Sequence, residues 1–206
     1  FYPVHLYYTS EITSSLRWGV GVFNPFGLGT WWPDEYAGKF ISKRVDLKVF
    51  DINPNLSYKL SDSFAVAVGL DYFYSNLNLT RSIGVMNPYT FQSAEVGQVH
   101  LYTDFQGGWG WNASLLAKLG GGVSFGAGYR SNVEVSYKGN ASFLQFPTGY
   151  ADFDAIVATQ VPFGTKPQAE TKIKFPDEVR LGLAWHGQKW GVEGDWVRMG
   201  WSSFKD

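Results

Sequence analysis

Three histidines, one serine set between glycines and a scatter of carboxylates are the residues here that could carry acid–base or covalent chemistry. Gly122-Val-Ser124-Phe-Gly126 matches the G-x-S-x-G nucleophile elbow by letter. That motif needs a sharp strand-to-helix turn to expose its serine, and here it lies inside an alternating run that reads as a strand. His5, His100 and His186 have neither the partner order of a triad nor the spacing of a zinc site. The chain has no cysteine, which removes thiolate nucleophiles, thiolate ligands and disulfides together. Gly19-Val-Gly21 and Gly126-Ala-Gly128 are strand glycines rather than phosphate loops. No catalytic residue, metal site or cofactor is expected, and the chain is not read as an enzyme.

The remaining chemistry is binding. Phe26, Leu28, Trp31, Trp32, Tyr36 and Phe40 crowd one irregular stretch, where so many large apolar groups would be costly in water. They are expected to line a groove or pack on a neighbouring loop. A second stretch offers Leu77, Leu79, Ile83, Val85, Met86, Tyr89 and Phe91. If the alternation before it continues, Leu77, Leu79 and Arg81 point one way, into the mouth of whatever the strands enclose. Two apolar residues beside a cation suit an amphiphile with a carboxylate head. The plainer alternative is loop packing with a solvated arginine. Lys118 and Arg130 are further cations on the same polar strand face.

Strands must position these residues. Phe64, Val66, Val68, Leu70, Tyr72 and Tyr74 alternate with Ala65, Ala67, Gly69, Asp71 and Phe73. Val123 to Tyr137, Trp109 to Leu119 and Val179 to Trp185 show the same two-residue period. Weaker runs cover 3–9, 16–23, 44–60 and 190–201. In 44–60 the apolar phase slips near Phe50, as a bulge would cause. About eight strands result, with no helix of ordinary length; a helical turn within a loop is compatible with the pattern.

Short breaks at 10–15, 61–62, 119–122 and 186–189 alternate with long stretches at 24–43, 75–98 and 139–170. A sandwich has no reason for this, whereas an outer-membrane barrel has short periplasmic turns and long external loops. Tyr58, Phe64, Trp185 and Trp190 lie beside the short turns, and Tyr72, Tyr74, Trp109 and Trp201 lie about one spanning length away. Two aromatic girdles are what the two lipid interfaces favour. The polar face carries Arg17, Lys48, Asp71, Lys118, Arg130, Glu134, Glu178, Arg180, Glu193 and Asp195.

Composition agrees. Charged residues are 17% and aromatics 18% of the 206 residues, against roughly 25% charged in an ordinary soluble domain. The formal net charge of -1 excludes a strongly basic nucleic-acid binder. No run of about eighteen apolar residues exists, so no transmembrane helix is available. The start, FYPVHLYYT, has neither the basic opening nor the cleavage site of a signal peptide.

The sequence resembles the FadL/TodX family, outer-membrane transporters of long-chain fatty acids and other hydrophobic compounds. The resemblance rests on Asn24-Pro-Phe-Gly-Leu-Gly-Thr30, Trp32-Pro-Asp-Glu-Tyr-Ala-Gly38, Asn53-Pro54, Tyr58-Lys-Leu60 and the run 64–70. Gly108-Trp-Gly-Trp-Asn112, Tyr129-Arg-Ser131, Phe175-Pro-Asp-Glu-Val179, Gly194-Asp-Trp196 and Gly200-Trp-Ser-Ser-Phe204 continue it in order. It implies a fourteen-stranded antiparallel transmembrane β-barrel in the bacterial outer membrane, plugged by an N-terminal hatch. Residues 1–206 would then be a partial barrel domain, with the hatch and the first and last strands outside it.

The resemblance also implies passive uptake of a hydrophobic small molecule, a long-chain fatty acid or an aromatic hydrocarbon. Stretches 24–43 and 75–98 would be the capturing loops, and substrate would leave sideways near a kinked early strand. Expected partners besides substrate are outer-membrane lipid and lipopolysaccharide; no nucleic acid is expected, and the protein would be a monomer. A general porin or structural barrel, and a soluble carbohydrate-binding β-sandwich, are the alternatives.

Overall fold

The computed structural model describes residues 3–204. Phe1, Tyr2, Lys205 and Asp206, the ends of the expected 1–206 domain, lie outside the described residues. The strands are β1 (Leu6–Glu11), β2 (Leu16–Phe23), β3 (Gly27–Trp31), β4 (Arg44–Ser61), β5 (Phe64–Met86) and β6 (Ser93–Thr103). They continue with β7 (Gln106–Gly120), β8 (Val123–Arg130), β9 (Val133–Gln145), β10 (Gln168–Phe175), β11 (Glu178–His186) and β12 (Gly191–Met199). One α-helix, α1 (Ala151–Gln160), lies between β9 and β10, and a single 3-10 turn (Trp201–Phe204) follows β12.

All pairings are antiparallel, and the main path runs β1-β2-β4-β5-β7-β8-β11-β12. These eight strands are the eight that alternation and turn signals pick out. β1 and β12 do not pair, so the sheet is an open arc of barrel wall. The turns between its hairpins are tight. At the β7–β8 turn Gly121 and Gly122 have φ of 57° and 82°, the left-handed pair that a two-residue hairpin turn demands.

The even face of β5 points outward and is apolar, with Val68 59% and Leu70 51% exposed. The odd face points inward and carries Asp71, Phe73 and Ser75, all buried. A sandwich would have covered that outer face with a second sheet; here it is a lipid-facing band. From Phe64 to Tyr74 the strand runs about 34 Å, or about 26 Å along the membrane normal at a tilt near 40°. Tyr72 beside Trp109 (ring centroids 4.6 Å) and Tyr74 on Phe105 (4.4 Å) mark its upper edge. Trp201, expected in that girdle, instead turns toward the lumen side and meets Phe26 edge-on at 6.0 Å.

Four further strands, β3, β6, β9 and β10, lie within or beside the stretches that the sequence pattern leaves irregular. β3 and β6 extend the wall beyond the girdle, whereas β9 pairs with β6 above and folds with β10 inside the arc below. β5 is 23 residues long; its lower part pairs with β7 up to Ser75, and from Asn78 it pairs with β6. At the handover the buried Leu77 N–H donates to Thr103 Oγ1 at 2.9 Å, which satisfies a donor the ladder would strand. β6 in turn pairs with β9, and β9 with β10.

The run 123–137 is not one strand: it breaks at Ser131-Asn132, where Trp111 N–H donates to Ser131 Oγ at 3.0 Å and Ser131 N–H to the Trp111 carbonyl. Beyond the break Val133, Val135 and Tyr137 do not face lipid. They are fully buried inside the arc with Val49, Phe73, Leu77 and Phe175. The two-residue gap preserves the period, so the sequence shows no seam. β9 lies close over the inner face of β7, where a Cβ at Gly108 would come within 2.9 Å of Val133 Cγ1.

The phase slip near Phe50 is likewise not a bulge. β4 keeps one register against β5 from Arg44 to Lys59, shifting only at the turn. What changes is the surroundings. Above Phe50 the inner neighbours are the apolar plug and the outer ones are polar headgroups and then water, so Val45, Leu47 and Val49 are the apolar set. Below it the inner face meets a polar lumen, at Asp51, Asn53 and Asn55, while the outer face meets lipid.

The helix is also longer than the expected turn. Its apolar residues do not gather on one side, since Phe153 and Val157 are buried and Ile156 is exposed. Asp154 anchors its first turn by accepting from Thr148 N–H and Thr148 Oγ1, the latter at 2.7 Å.

Candidate functional site

The inner face of β5 passes three environments in order. Highest, Leu79, Arg81 and Ile83 line a groove of about 570 Å3. Val99 and Leu101 of β6, Ala141 and Phe143 of β9, and Val161-Pro162 after α1 complete it, with Ile41 at its rim. The helix forms one wall because Phe153 and Val157 pack with Val96, against which Ile83, Val85 and Val161 also lie. The groove is apolar except for Gln160 and Arg81. Arg81 is exposed and makes no ion pair among the described residues, so its guanidinium is available to an anion at the groove edge.

Below the groove the path closes. Phe73, Phe26 and Phe175 form an aromatic cluster with centroids 5.1 to 6.0 Å apart. Tyr137 and Ser75, both fully buried, share a hydroxyl–hydroxyl hydrogen bond of 2.6 Å. The β9–β10 hairpin thus packs as an apolar plug on the inner face of the arc at this level.

Beneath the plug lies a polar pocket of about 230 Å3 lined by Asn53, Asp71, Asn112, Arg130, Glu178 and Arg180, among others. Asp71 accepts from Asn53 and Asn112, each at 3.0 Å. Arg130 donates to Glu178 at 3.2 Å, lies 3.8 Å from Asp51, and stands over the Phe26 ring at 5.5 Å. Glu178 also accepts from Arg180. Carboxylates already hold both arginines, so this cluster has no free cation for a carboxylate ligand.

Of the residues read from the sequence as ligand-binding, the structure gathers Leu79 and Arg81 in the groove, with Leu77 just beneath in the closed core. Trp32 and Tyr36 stack on each other at 4.5 Å in the loop between β3 and β4. Phe40 lies over Gly84, where an added Cβ would come within 2.8 Å of its ring. That loop is tied down by Lys39–Glu95 and Lys43–Asp34 ion pairs. Burial raises the Glu95 carboxyl, but hydrogen bonds from Lys39 and Ser82 and the Lys39 charge outweigh it and hold it below its ordinary value. Leu28 of β3 pairs with Leu47 of β4. Trp31 stands 87% exposed on the outer face, opposite Arg44. Lys118 is beside the β7–β8 turn at the far end of the arc, and Arg130 is in the ion cluster.

The residues missed from the sequence are Val99, Leu101, Ala141, Phe143, Val161, Pro162 and Ile41. A signal existed in the alternation of 99–103 and 141–143. Both segments are short and flanked by loop-like composition, so their pairing partner could not be read.

A family model described as outer membrane protein transport protein (OMPP1/FadL/TodX) matches residues 4–206. The long-chain fatty acid transport protein of Salmonella typhi is 23% identical over 214 residues, covering 98% of this chain and 49% of that protein. The crystal structure of a Pseudomonas aeruginosa FadL homologue superposes with TM-score 0.84 at 14% identity, over 96% of this chain and 48% of that one. The Pseudomonas putida toluene transporter TodX superposes with TM-score 0.62 at 17% identity, over 98% of this chain and 55% of that one. The chain spans about half the length of the curated relatives it matches.

Proposed function

Because the chain belongs to the OMPP1/FadL/TodX family of outer-membrane transport proteins, we propose that it forms the substrate-receiving part of a passive channel for hydrophobic small molecules. Long-chain fatty acids are the favoured substrate. The observation that carries this reading is the external groove: apolar walls from β5, β6, β9 and the α1 terminus, with one unpaired cation, Arg81, at the edge. Acyl chain on the walls and carboxylate on Arg81 is the arrangement this chemistry suits. The likeness to the Salmonella typhi long-chain fatty acid transport protein supports the fatty acid, and that to the toluene transporter TodX supports an aromatic hydrocarbon in the same apolar walls.

Transfer inward follows the β5 face. Substrate leaving the groove meets Leu77 and the Phe26–Phe73–Phe175 cluster, so the β9–β10 hairpin must shift for it to advance. The substrate gradient drives the movement. The test is equilibrium binding of a fluorescent fatty acid to the full-length protein in detergent, with Leu79→Asp and Phe143→Asp compared to wild type. Affinity falls at least tenfold in each if the groove is the receiving site, since a buried carboxylate opposes the acyl chain. Unchanged affinity in both refutes it.

A further inference from the structure

The outer face of the extended wall carries a second concave site, on the side opposite the groove. Arg44, Asp46 and Lys48 alternate on the outward face of β4, directly across from Trp31, Gly29 and Gly27 of β3. Between them lies a cleft of about 440 Å3. Its floor is open at Gly29, where a Cβ would meet nothing within 4 Å. Asp46 stands 3.5 Å from Lys48 Nζ and 3.8 Å from Arg44 Nη2, so two cations share one carboxylate. Trp31 presents a bare indole beside them and stacks on no ring among the described residues. The sequence pattern groups Lys48 with Asp71 on the polar strand face; the constant register of β4 puts it on the outer face instead.

Height decides what reaches this cleft. Lys48 is two residues above Phe50 on the same face, and Phe50 belongs to the girdle through Phe105 and Tyr74. Lys48 therefore lies about 5 Å, and Arg44 about 15 Å, above the belt along the membrane normal. Lys48 thus stands in the headgroup layer of the outer leaflet, because aromatic belts sit at headgroup level, and Arg44 reaches down toward it through the Asp46 that they share. The cleft is continuous with the lipid-facing band below it.

We propose that this cleft binds the phosphorylated glucosamine headgroup of lipid A, the glycolipid of the outer leaflet. Lys48 and Arg44 take the phosphate, the Trp31 indole covers the apolar face of a sugar ring, and the acyl chains run down the wall past Phe50 and Ile52. Gly29 leaves room for the ring to approach the backbone. Asp46 holds the two cations in place while the site is empty and limits its affinity. The site is independent of the groove and of the substrate assigned to it.

The test uses the full-length protein in detergent, titrated with diphosphoryl lipid A and with its dephosphorylated form, bound ligand being counted by native mass spectrometry. Each basic side chain removed weakens diphosphoryl lipid A about fivefold, so Arg44→Ala with Lys48→Ala weakens it about 25-fold. Asp46→Asn tightens it about fivefold by the same reasoning. Dephosphorylated lipid A binds wild type about as weakly as the diphosphoryl form binds the double variant. Lys48→Arg, which keeps the charge, binds within about twofold of wild type and guards against a folding artefact. Fatty acid binding is unchanged in all of these variants. Equal affinity of wild type and double variant, no preference for the phosphorylated lipid, or displacement by equimolar inorganic phosphate would each overturn the proposal.

Discussion

If the β9–β10 hairpin is seated in the lumen as described, the hydroxyls of Tyr137 and Ser75 must be energetically coupled. Both residues are fully buried, they are 62 positions apart, and their oxygens are 2.6 Å from each other. Tyr137→Phe removes one partner and strands Ser75 Oγ in a dry core, which costs about 1–3 kcal/mol. Ser75→Ala strands the phenol in the same way. The double variant leaves no orphan and forfeits only the net worth of one hydrogen bond, about 0.5–1.5 kcal/mol. Its destabilisation should therefore fall short of the sum of the two singles by about 1 kcal/mol or more. The assay is equilibrium unfolding of the full-length protein in lipid or detergent, followed by tryptophan fluorescence and checked for reversibility. Additivity within about 0.5 kcal/mol would mean that the two side chains do not touch, and the plugged lumen would have to be abandoned.

Arg81→Gln should weaken a fatty acid up to about fivefold, the range of an exposed ion pair, and leave the matching fatty alcohol unchanged; fluorescence displacement with both ligands separates the two. The Lys39–Glu95 tether depends on a carboxylate held below its ordinary value. A depressed acid contributes stability that is fully present above its unfolded pKa and lost as pH falls through the folded one. Proteolysis of the 32–43 loop should therefore accelerate as the pH falls below the ordinary carboxylate range, and Glu95→Gln should be equally susceptible at neutral pH. On the lipid face, Val68→Arg should cost about 2–4 kcal/mol of folding free energy. Ser57→Arg, on the polar inner face, should cost less than half of that in the same unfolding assay.

The barrel wall was legible from the chain, and the plug was not. β5, β7, β8 and β11 announce themselves because water or polar lumen on one side and lipid on the other impose a two-residue period. The aromatic pairs Tyr72–Trp109 and Tyr74–Phe105 mark where that band stops. Val133, Val135 and Tyr137 keep the same period while facing a protein core, and a period does not say which medium it faces. Lys48 was assigned to the wrong side for a related reason: the apolar set of β4 changes faces at Phe50 although the strand does not. Leu79 and Arg81 could be placed on the inner face by extending the β5 alternation. Their groove partners come from β6, β9 and the end of α1, and no local pattern encodes a pairing across 60 residues.

The central claim is that a hydrophobic molecule occupies the external groove of the β5–β6–β9 wall. Its most direct test is photolabelling of the full-length protein with a fatty acid carrying a diazirine in its acyl chain, followed by peptide mapping. Labels should fall on Leu79, Val99, Phe143 and Val161, and excess unlabelled fatty acid should suppress them. Specific labelling confined to the polar pocket around Phe23 and Asn112, or to the outer face at Trp31 and Trp109, would contradict it.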